Sequence, residues 1–552
     1  CSEPVMSYAQ KVLKQHWTRW QVNREVRRLV RQVSRQVKLD QSRAPVVLFN
    51  ASTRLTGMSL NASFSLLLGL GLQMAGIPVV RFACEGGMSR CVLGTDRDDP
   101  DQAPPCRACI AQSRTLFMDA PTVWFRYQED AALRQRLADL TVDQLAEFEW
   151  SAHLPRIGER SLPLGALAMP ALRWVLRRHH LLDEEPVRKL LREYILSAYR
   201  VVQEFASLVG ELRPSAVVVF NGQFFPEAAA RWVAREYAIP SVSHEVGLLP
   251  FTGYFTTGEA TAYPLDIPDS FVLSEAQNAR LDEYLSRRFK GQFSMAGVQF
   301  WPEMRGLDEA FLRKAEQFEQ IVPIFTNVIF DTSQPHSNVV FPHMFAWLDE
   351  VLEVIRIHPE TLFVLRAHPD EHRAGKQSRE SVADWAAQRE ITALPNVVFY
   401  DSDQFVSSYQ LIQRSKFVMI YNSTIGLEAA ILGAPVLCAG RARFTQLPTV
   451  FFPQSPAAYL QQLETFLSLG KVDALPEFQV NARRFLYYQL FRSSLPFDAY
   501  LEDERLWTGF VRLRRFGVEQ LTAAKSPTLQ VLVSELEKLD IKQPVFSFLL
   551  PE

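Results

Sequence analysis

At 552 residues the chain exceeds one typical domain, so two domains with additions are the starting expectation. A composition of 47% hydrophobic and 22% charged residues is that of an ordinary globular protein, and a formal net charge of −2 gives no case for nucleic acid as the main partner. The longest apolar stretch, residues 62–80, is broken by Gln73, several glycines and Pro78, so it reads as a helix turning into a strand and not as a membrane span.

The chain opens at Cys1 with no initiator Met and no signal-peptide pattern, which makes a cytoplasmic location the expectation. Residues 1–44 read as a basic amphipathic helical segment. Leu13, Trp17, Trp20, Val26, Leu29, Val33 and Val37 recur mostly at three- to four-residue spacings, with Lys11, Lys14, Arg19, Arg24, Arg27, Arg28, Arg31 and Arg35 between them. The preferred reading packs the apolar face on the protein and leaves the arginines solvated. The second is peripheral membrane contact, with Trp on an anionic inner face.

Residues 45–300 form the first domain. A strand at 46–51, a polar loop, a helix through Ala75 and a strand at 77–82 resemble the start of a Rossmann-like unit, without the G-x-G-x-x-G of a dinucleotide site. Cys84, Cys91, Cys106 and Cys109 then follow in the pattern C-x6-C-x14-C-x2-C, around an acidic, Pro-rich segment with little to bury. Four thiols in a cytosolic chain favour metal over disulfide. The expectation for 84–109 is a closed structural zinc site; an iron–sulfur cluster and free thiols are the alternatives. Residues 110–210 read as a mostly helical insertion, in which His179-His180 is a solvated helix end rather than a ligand pair. Strands at 217–220 and 240–243 then end in Asn221-Gly222-Gln223 and His244-Glu245-Val246-Gly247. His244 and Glu245 are either a satisfied buried pair or, one of them, a general base facing a cleft.

Residues 275–319 are helical, charged and read as the passage between domains. The second domain, 320–475, opens on a strand at 323–331 carrying Asn327 and Asp331. Its central stretch has short apolar runs closed by polar residues: Arg366, His368 and Pro369; Asp401 and Asp403; Asn422, Ser423 and Thr424. Such runs are buried parallel strands, and in open α/β sheets ligands bind at their carboxyl ends. Ser423 or Thr424 should cap the next helix, whose N-terminus suits phosphate, and Glu428 lies one turn in. Arg441 and Arg443 follow the next strand, where they either neutralise a diphosphate or are simply solvated. Asp401-Ser402-Asp403 has the letters of a metal-binding D-x-D but sits where a helix cap is expected. Residues 476–552 are C-terminal helices expected to pack back on the first domain.

The pairing of R-x-H-P (Arg366 to Pro369) with N-S-T-x-G-x-E-A (Asn422 to Ala429) resembles the capsule polysaccharide biosynthesis glycosyltransferases, which include the bacterial β-Kdo transferases. N-G-x-F-x-P-E (Asn221 to Glu227) and H-E-x-G (His244 to Gly247) resemble the N-terminal half of that family, so the resemblance runs from about Val46 to Phe491. It implies a GT-B-like α/β fold of two Rossmann-like domains facing a cleft. It further implies a nucleotide-sugar donor bound by the C-terminal domain through Asn327, Arg366, His368, Asn422, Ser423, Thr424, Glu428 and Arg441. The N-terminal domain would then position a saccharide or lipid-linked acceptor, with Glu245, His244 or Asp331 near the reacting centre and no catalytic metal. The rivals are a glycerophosphotransferase or sugar-nucleotide epimerase on the same fold, and a non-catalytic assembly protein.

Overall fold

A computed structural model of the protein describes residues 8–51, 57–290, 304–373, 377–504 and 509–551. In chain order the first half carries β1 (Val46–Phe49), β2 (Val79–Cys84), β3 (Thr122–Phe125), the hairpin β4 (Trp150–Leu154) and β5 (Gly158–Leu162), β6 (Ala216–Phe220), β7 (Ser241–Val246) and β8 (Thr252–Thr256). The second half carries β9 (Gln320–Phe325), β10 (Thr361–Arg366), β11 (Val397–Tyr400), β12 (Val418–Ile420) and β13 (Val436–Cys438). Then come β14 (Leu495–Pro496) and the small pair β15 (Leu501–Asp503) and β16 (Val511–Leu513).

Two sheets result. The first runs β14-β8-β7-β6-β1-β2-β3 and the second β11-β10-β9-β12-β13. The strands β3-β2-β1-β6-β7 are mutually parallel, with β8 antiparallel at the edge and β14 antiparallel beyond it. All five strands of the second sheet are parallel. Both parallel sets therefore wind outward from their first strand on one side, return, and wind outward on the other. This is the Rossmann-like order, and the chain is an α/β protein of two such units.

The strand sequences explain the layering. Side chains alternate across a strand, and a parallel strand covered on both faces is apolar throughout. In β1, Val47 and Phe49 join one core while Val46 and Leu48 join another. In β10, Phe363 and Leu365 divide from Leu362 and Val364 in the same way. Helices Leu164–Leu176, Glu185–Leu212 and Phe225–Glu236 cover one face of the first sheet. The other face is covered by Leu60–Met74, by Pro527–Glu537 and by the N-terminal helix Tyr8–Ser34. The last residues thus return to the first sheet, through β14 and through Phe548, whose N–H donates to the Phe255 carbonyl.

Three expectations need correction. The N-terminal helix buries Val22, Val26, Leu29, Val30 and Val33, but Trp17 and Trp20 lie off that face, 59% and 48% exposed and stacked on each other. The insertion contains the β4–β5 hairpin where helix was expected; Arg156 and Gly158, both at positive φ, turn the chain there. Asp401-Ser402-Asp403 is a turn and not a helix cap, since Ser407 caps the helix Ser408–Arg414.

One buried ion pair ties the first unit together. Arg81, in the middle of β2, places Nε 2.8 Å from Asp119 Oδ1 and Nη2 2.9 Å from Oδ2. Its Nη1 donates to Asn50 Oδ1 at 2.9 Å and to Ser65 Oγ at 3.1 Å. Gly69 makes room for it: a Cβ there would sit 2.6 Å from Arg81 Nη2. Removing one partner of a buried pair strands the other charge, so Asp119→Ala should cost about 3–5 kcal/mol in chemical denaturation. The double replacement Arg81→Met with Asp119→Leu should recover much of that loss, and Gly69→Ala should destabilise by crowding the guanidinium.

Candidate active site

The carboxyl ends of the two sheets border one cleft of about 1430 Å³. Its walls include Asn50, Asn221, His244 and Glu245 from the first unit, and Asn327, Asp331, His336, His368, Asn422, Ser423, Thr424, Glu428, Arg441 and Arg443 from the second.

On the first wall, β6 ends in Asn221 and Gly222 at φ of 59° and 86°. Asn tolerates the left-handed region and Gly enters it without a Cβ penalty, which is why this pair can reverse the chain at the sheet edge. The turn lets Asn221 Nδ2 donate to Glu245 Oε2 at 2.8 Å, while the Val246 N–H donates to Oε1 at 2.9 Å. Burial raises the Glu245 carboxyl above its ordinary 4.5. Its two hydrogen bonds and the facing Arg443 partly offset this, and Asp331 adds to it. His244 is a different kind of residue. Its ring stacks on Phe255 at 5.2 Å, beside Phe64 and Phe220, and its Nδ1 is buried with no hydrogen-bond partner. Desolvation pushes its pKa down to about 3, so it is a neutral, packed ring. Of the two candidates, Glu245 is the one whose polar atoms are hydrogen-bonded at the cleft wall.

On the second wall, Asn327 Oδ1 accepts the Asn422 N–H at 3.2 Å, and the Asn422 amide donates to Ser337 Oγ, so these two asparagines shape the end of β12. Asp331 accepts from the Thr332 N–H and from Ser333 Oγ at 2.9 and 3.0 Å, closing the loop after β9. His368 Nδ1 accepts the Asp370 N–H at 3.1 Å. That bond assigns the neutral ring's proton to Nε2, which makes it a donor; burial holds the ring below its ordinary pKa, with Asp370 opposing. Thr424 precedes the helix Ile425–Ile431 and makes no side-chain cap, contrary to the capping expectation. Arg441 N–H donates to the Ser337 carbonyl, and Arg443 lies over the Tyr263 ring at 5.0 Å.

Two donor-site assignments are redirected. Arg366 is absent from the cleft wall. Alternation along β10 sends it to the far side, where its guanidinium donates to Ser408 Oγ and burial lowers its pKa to about 10. Glu428 borders the cleft but is already engaged. Arg288 Nε donates to its Oε1 at 2.7 Å and the Tyr409 hydroxyl to its Oε2, an anchor for the helix Glu275–Phe289 that leads between the domains. Sequence reading overlooked His336, whose Nε2 lies 3.0 Å from Glu259 Oε2 and 2.9 Å from Thr261 Oγ1. No pattern marks it, because its partners are 75 or more residues away.

Cys84, Cys91, Cys106 and Cys109 are electrostatic neighbours, drawn from the end of β2, a loop and the helix Cys106–Leu116. Burial raises Cys84 to about 11 and Cys91 to about 12. The donor set suits zinc.

Residues 286–447 match the family described as "Capsule polysaccharide biosynthesis protein". No curated protein matches the chain. Among solved structures, the chain is similar to the β-Kdo 2,4 transferase of Thermosulfurimonas dismutans KpsC, at 11% identity over 56% of this chain and 87% of that one, with a TM-score of 0.34. It is similar to the β-Kdo 2,7 transferase of the same KpsC at 13% identity over 61% and 90%, with a TM-score of 0.32. It is also similar to the UDP-GlcNAc 2-epimerase of Neisseria meningitidis bound to UDP-GlcNAc, at 12% identity over 81% and 99%, with a TM-score of 0.24.

Glu428→Ala leaves the partly buried Arg288 guanidinium without its partner and should lower ligand-free stability by about 1–3 kcal/mol in urea unfolding. An unchanged midpoint would return Glu428 to the list of pure ligand contacts.

Proposed function

We propose that this chain, whose residues 286–447 carry the capsule polysaccharide biosynthesis match, is a glycosyltransferase of surface or capsular polysaccharide synthesis. It moves a sugar from a nucleotide-sugar donor to a saccharide or lipid-linked acceptor. The observation that carries this reading is the convergence across one cleft of a half-buried carboxylate, Glu245, with the cationic and hydrogen-bond-donating groups of the second wall.

In this reading the acceptor hydroxyl attacks the anomeric carbon while the bond from that carbon to the phosphate oxygen breaks. The hydroxyl proton passes to Glu245, oriented by Asn221 and the Val246 N–H. The negative charge that develops on the departing phosphate is met by His368 Nε2–H, the hydroxyls of Ser423 and Thr424, and Arg441 and Arg443. Fixed donors of this kind stabilise a leaving group because they need no reorganisation when charge appears. Asp331, on the second wall, is an electrostatic neighbour of both Glu245 and His368 and would favour a positive charge near the reacting centre.

Two accessory assignments belong to the same proposal. Structural zinc, or alternatively an iron–sulfur cluster, would gather the four cysteines and draw out thiolates that burial otherwise disfavours. The exposed Trp17 and Trp20, with Arg24 5.4 Å over the Trp20 ring, would meet an anionic membrane surface that presents lipid-linked acceptor. Among the described residues no helix is long and apolar enough to cross a membrane.

A thermal-shift screen against CMP, CDP, UDP, GDP and their sugars should yield a stabilising nucleotide, since a ligand that binds only the folded state raises its melting temperature. His368→Ala and Ser423→Ala should abolish the shift; no shift with any nucleotide would favour a non-catalytic assembly role. Glu245→Gln should keep the shift yet lower kcat by about 10²–10⁴. Because a protonated Glu245 cannot accept the acceptor's proton, the rate should fall as pH drops, with its midpoint above the ordinary carboxylate value of 4.5. The Gln variant should lack that acid limb.

A further inference from the structure

Away from the cleft floor, three histidines meet where the insertion of the first unit touches the second. His179 and His180 follow the helix Leu164–Leu176, which ends at Arg177 in the left-handed region; His343 precedes the helix Met344–Ile357. One ring nitrogen from each lies within 4.8 Å of the other two, the only such cluster of metal-binding side chains among the described residues. His180 Nε2 and His343 Nε2 are 3.2 Å apart.

The geometry points to a transition-metal site of the zinc class, with His179, His180 and His343 as ligands, that clamps the two domains together. Zinc–nitrogen bonds of about 2.0–2.1 Å at tetrahedral angles put ligand nitrogens about 3.3 Å apart, close to the His180–His343 separation. Rotation of the His179 ring brings in the third ligand. His180 is half exposed, so the fourth position opens to water.

The surrounding groups have the form of an outer shell. His180 Nδ1 is hydrogen-bonded to Glu380 Oε1, and Glu380 Oε2 accepts the N–H groups of His179 and His180 at 2.8 and 3.0 Å. A carboxylate on the remote nitrogen holds a ligating imidazole in its binding tautomer. Arg173 Nε donates to the His179 carbonyl at 3.1 Å and fixes that backbone. Without metal the rings form a one-way chain: Ala346 N–H to His343 Nδ1, His343 Nε2–H to His180 Nε2, and His180 Nδ1–H to Glu380. A cation that binds both Nε2 atoms takes the place of the proton between them. That proton moves to His343 Nδ1, and the Ala346 hydrogen bond is released. Arg177 and Arg379, from opposite domains, both hold Asp98, so the junction already joins the two units without metal.

The test uses the full-length protein, stripped with chelator and dialysed against zinc, with metal counted by atomic emission and melting followed with and without zinc. His343→Asn removes a ligand while retaining a good helix cap, and His180→Gln is a second, surface variant. The wild type should hold one more equivalent of zinc than either variant and gain a larger zinc-induced rise in melting temperature. Glu380→Gln should weaken that extra equivalent by about 10–100-fold. Cobalt in the extra site should show visible d–d bands without the thiolate charge-transfer absorption that the cysteines would give. Equal zinc content and equal melting shifts in wild type and both variants would overturn the site and leave a hydrogen-bonded interdomain junction.

Discussion

The parallel direction of the strands is the constraint from which the rest follows. Parallel pairing forces every connection to cross back over a sheet face, so all carboxyl ends emerge along one edge. Where the winding reverses beside β1 and β9, adjacent loops leave in opposite directions and a crevice opens. Glu245, on the strand two positions from β1, and His368 and Asn422, just beyond the ends of the strands that flank β9, stand along these edges. Left-handed backbone redirects the chain at the Asn221-Gly222 turn and recurs in the cleft wall at Phe251.

The two units are joined by polar contacts set around the cleft. His336 from the second meets Glu259 and Thr261 from the first. Glu428 and Arg288 fasten the linking helix, and the pairs Asp98–Arg379 and His180–Glu380 fasten the opposite side. The units also share apolar packing: Tyr254 of β8, with Ala260, Tyr263 and Leu265, lies in one core with Phe325, Leu362 and Val364 of the second sheet, and β14 and the final residues are returned to the first sheet.

Much of the architecture was legible because burial on both faces writes itself as continuous apolar sequence. The runs in β1, β6, β10 and β12 are strands in the structure, and the polar residues after them include Asn221, His368, Asn422, Ser423 and Thr424 of the cleft wall. The β4–β5 hairpin was not legible in this way: Trp150, Ala152 and Leu154 alternate with Ser151 and His153, but the partner strand β5 is polar except for Leu162, so the pair carries little apolar signal. The N-terminal helix was recognised, but its face was misjudged by including Trp17 and Trp20; a hydrophobic residue's presence on a helix does not say which neighbour covers it.

What the sequence by itself determined is the class of the fold and the strand ends on which polar chemistry stands, because periodicity and composition are local and record burial directly. Only the tertiary structure decided what each polar residue faces. Arg366 and His368 are two positions apart, yet one is packed beneath Ser408 and the other borders the cleft, since the chain leaves the strand between them. Glu428 is held by Arg288, 140 residues earlier, and His180 meets His343 across 163 residues. Such partners are chosen by the packing of distant elements, and no spacing within a motif records them.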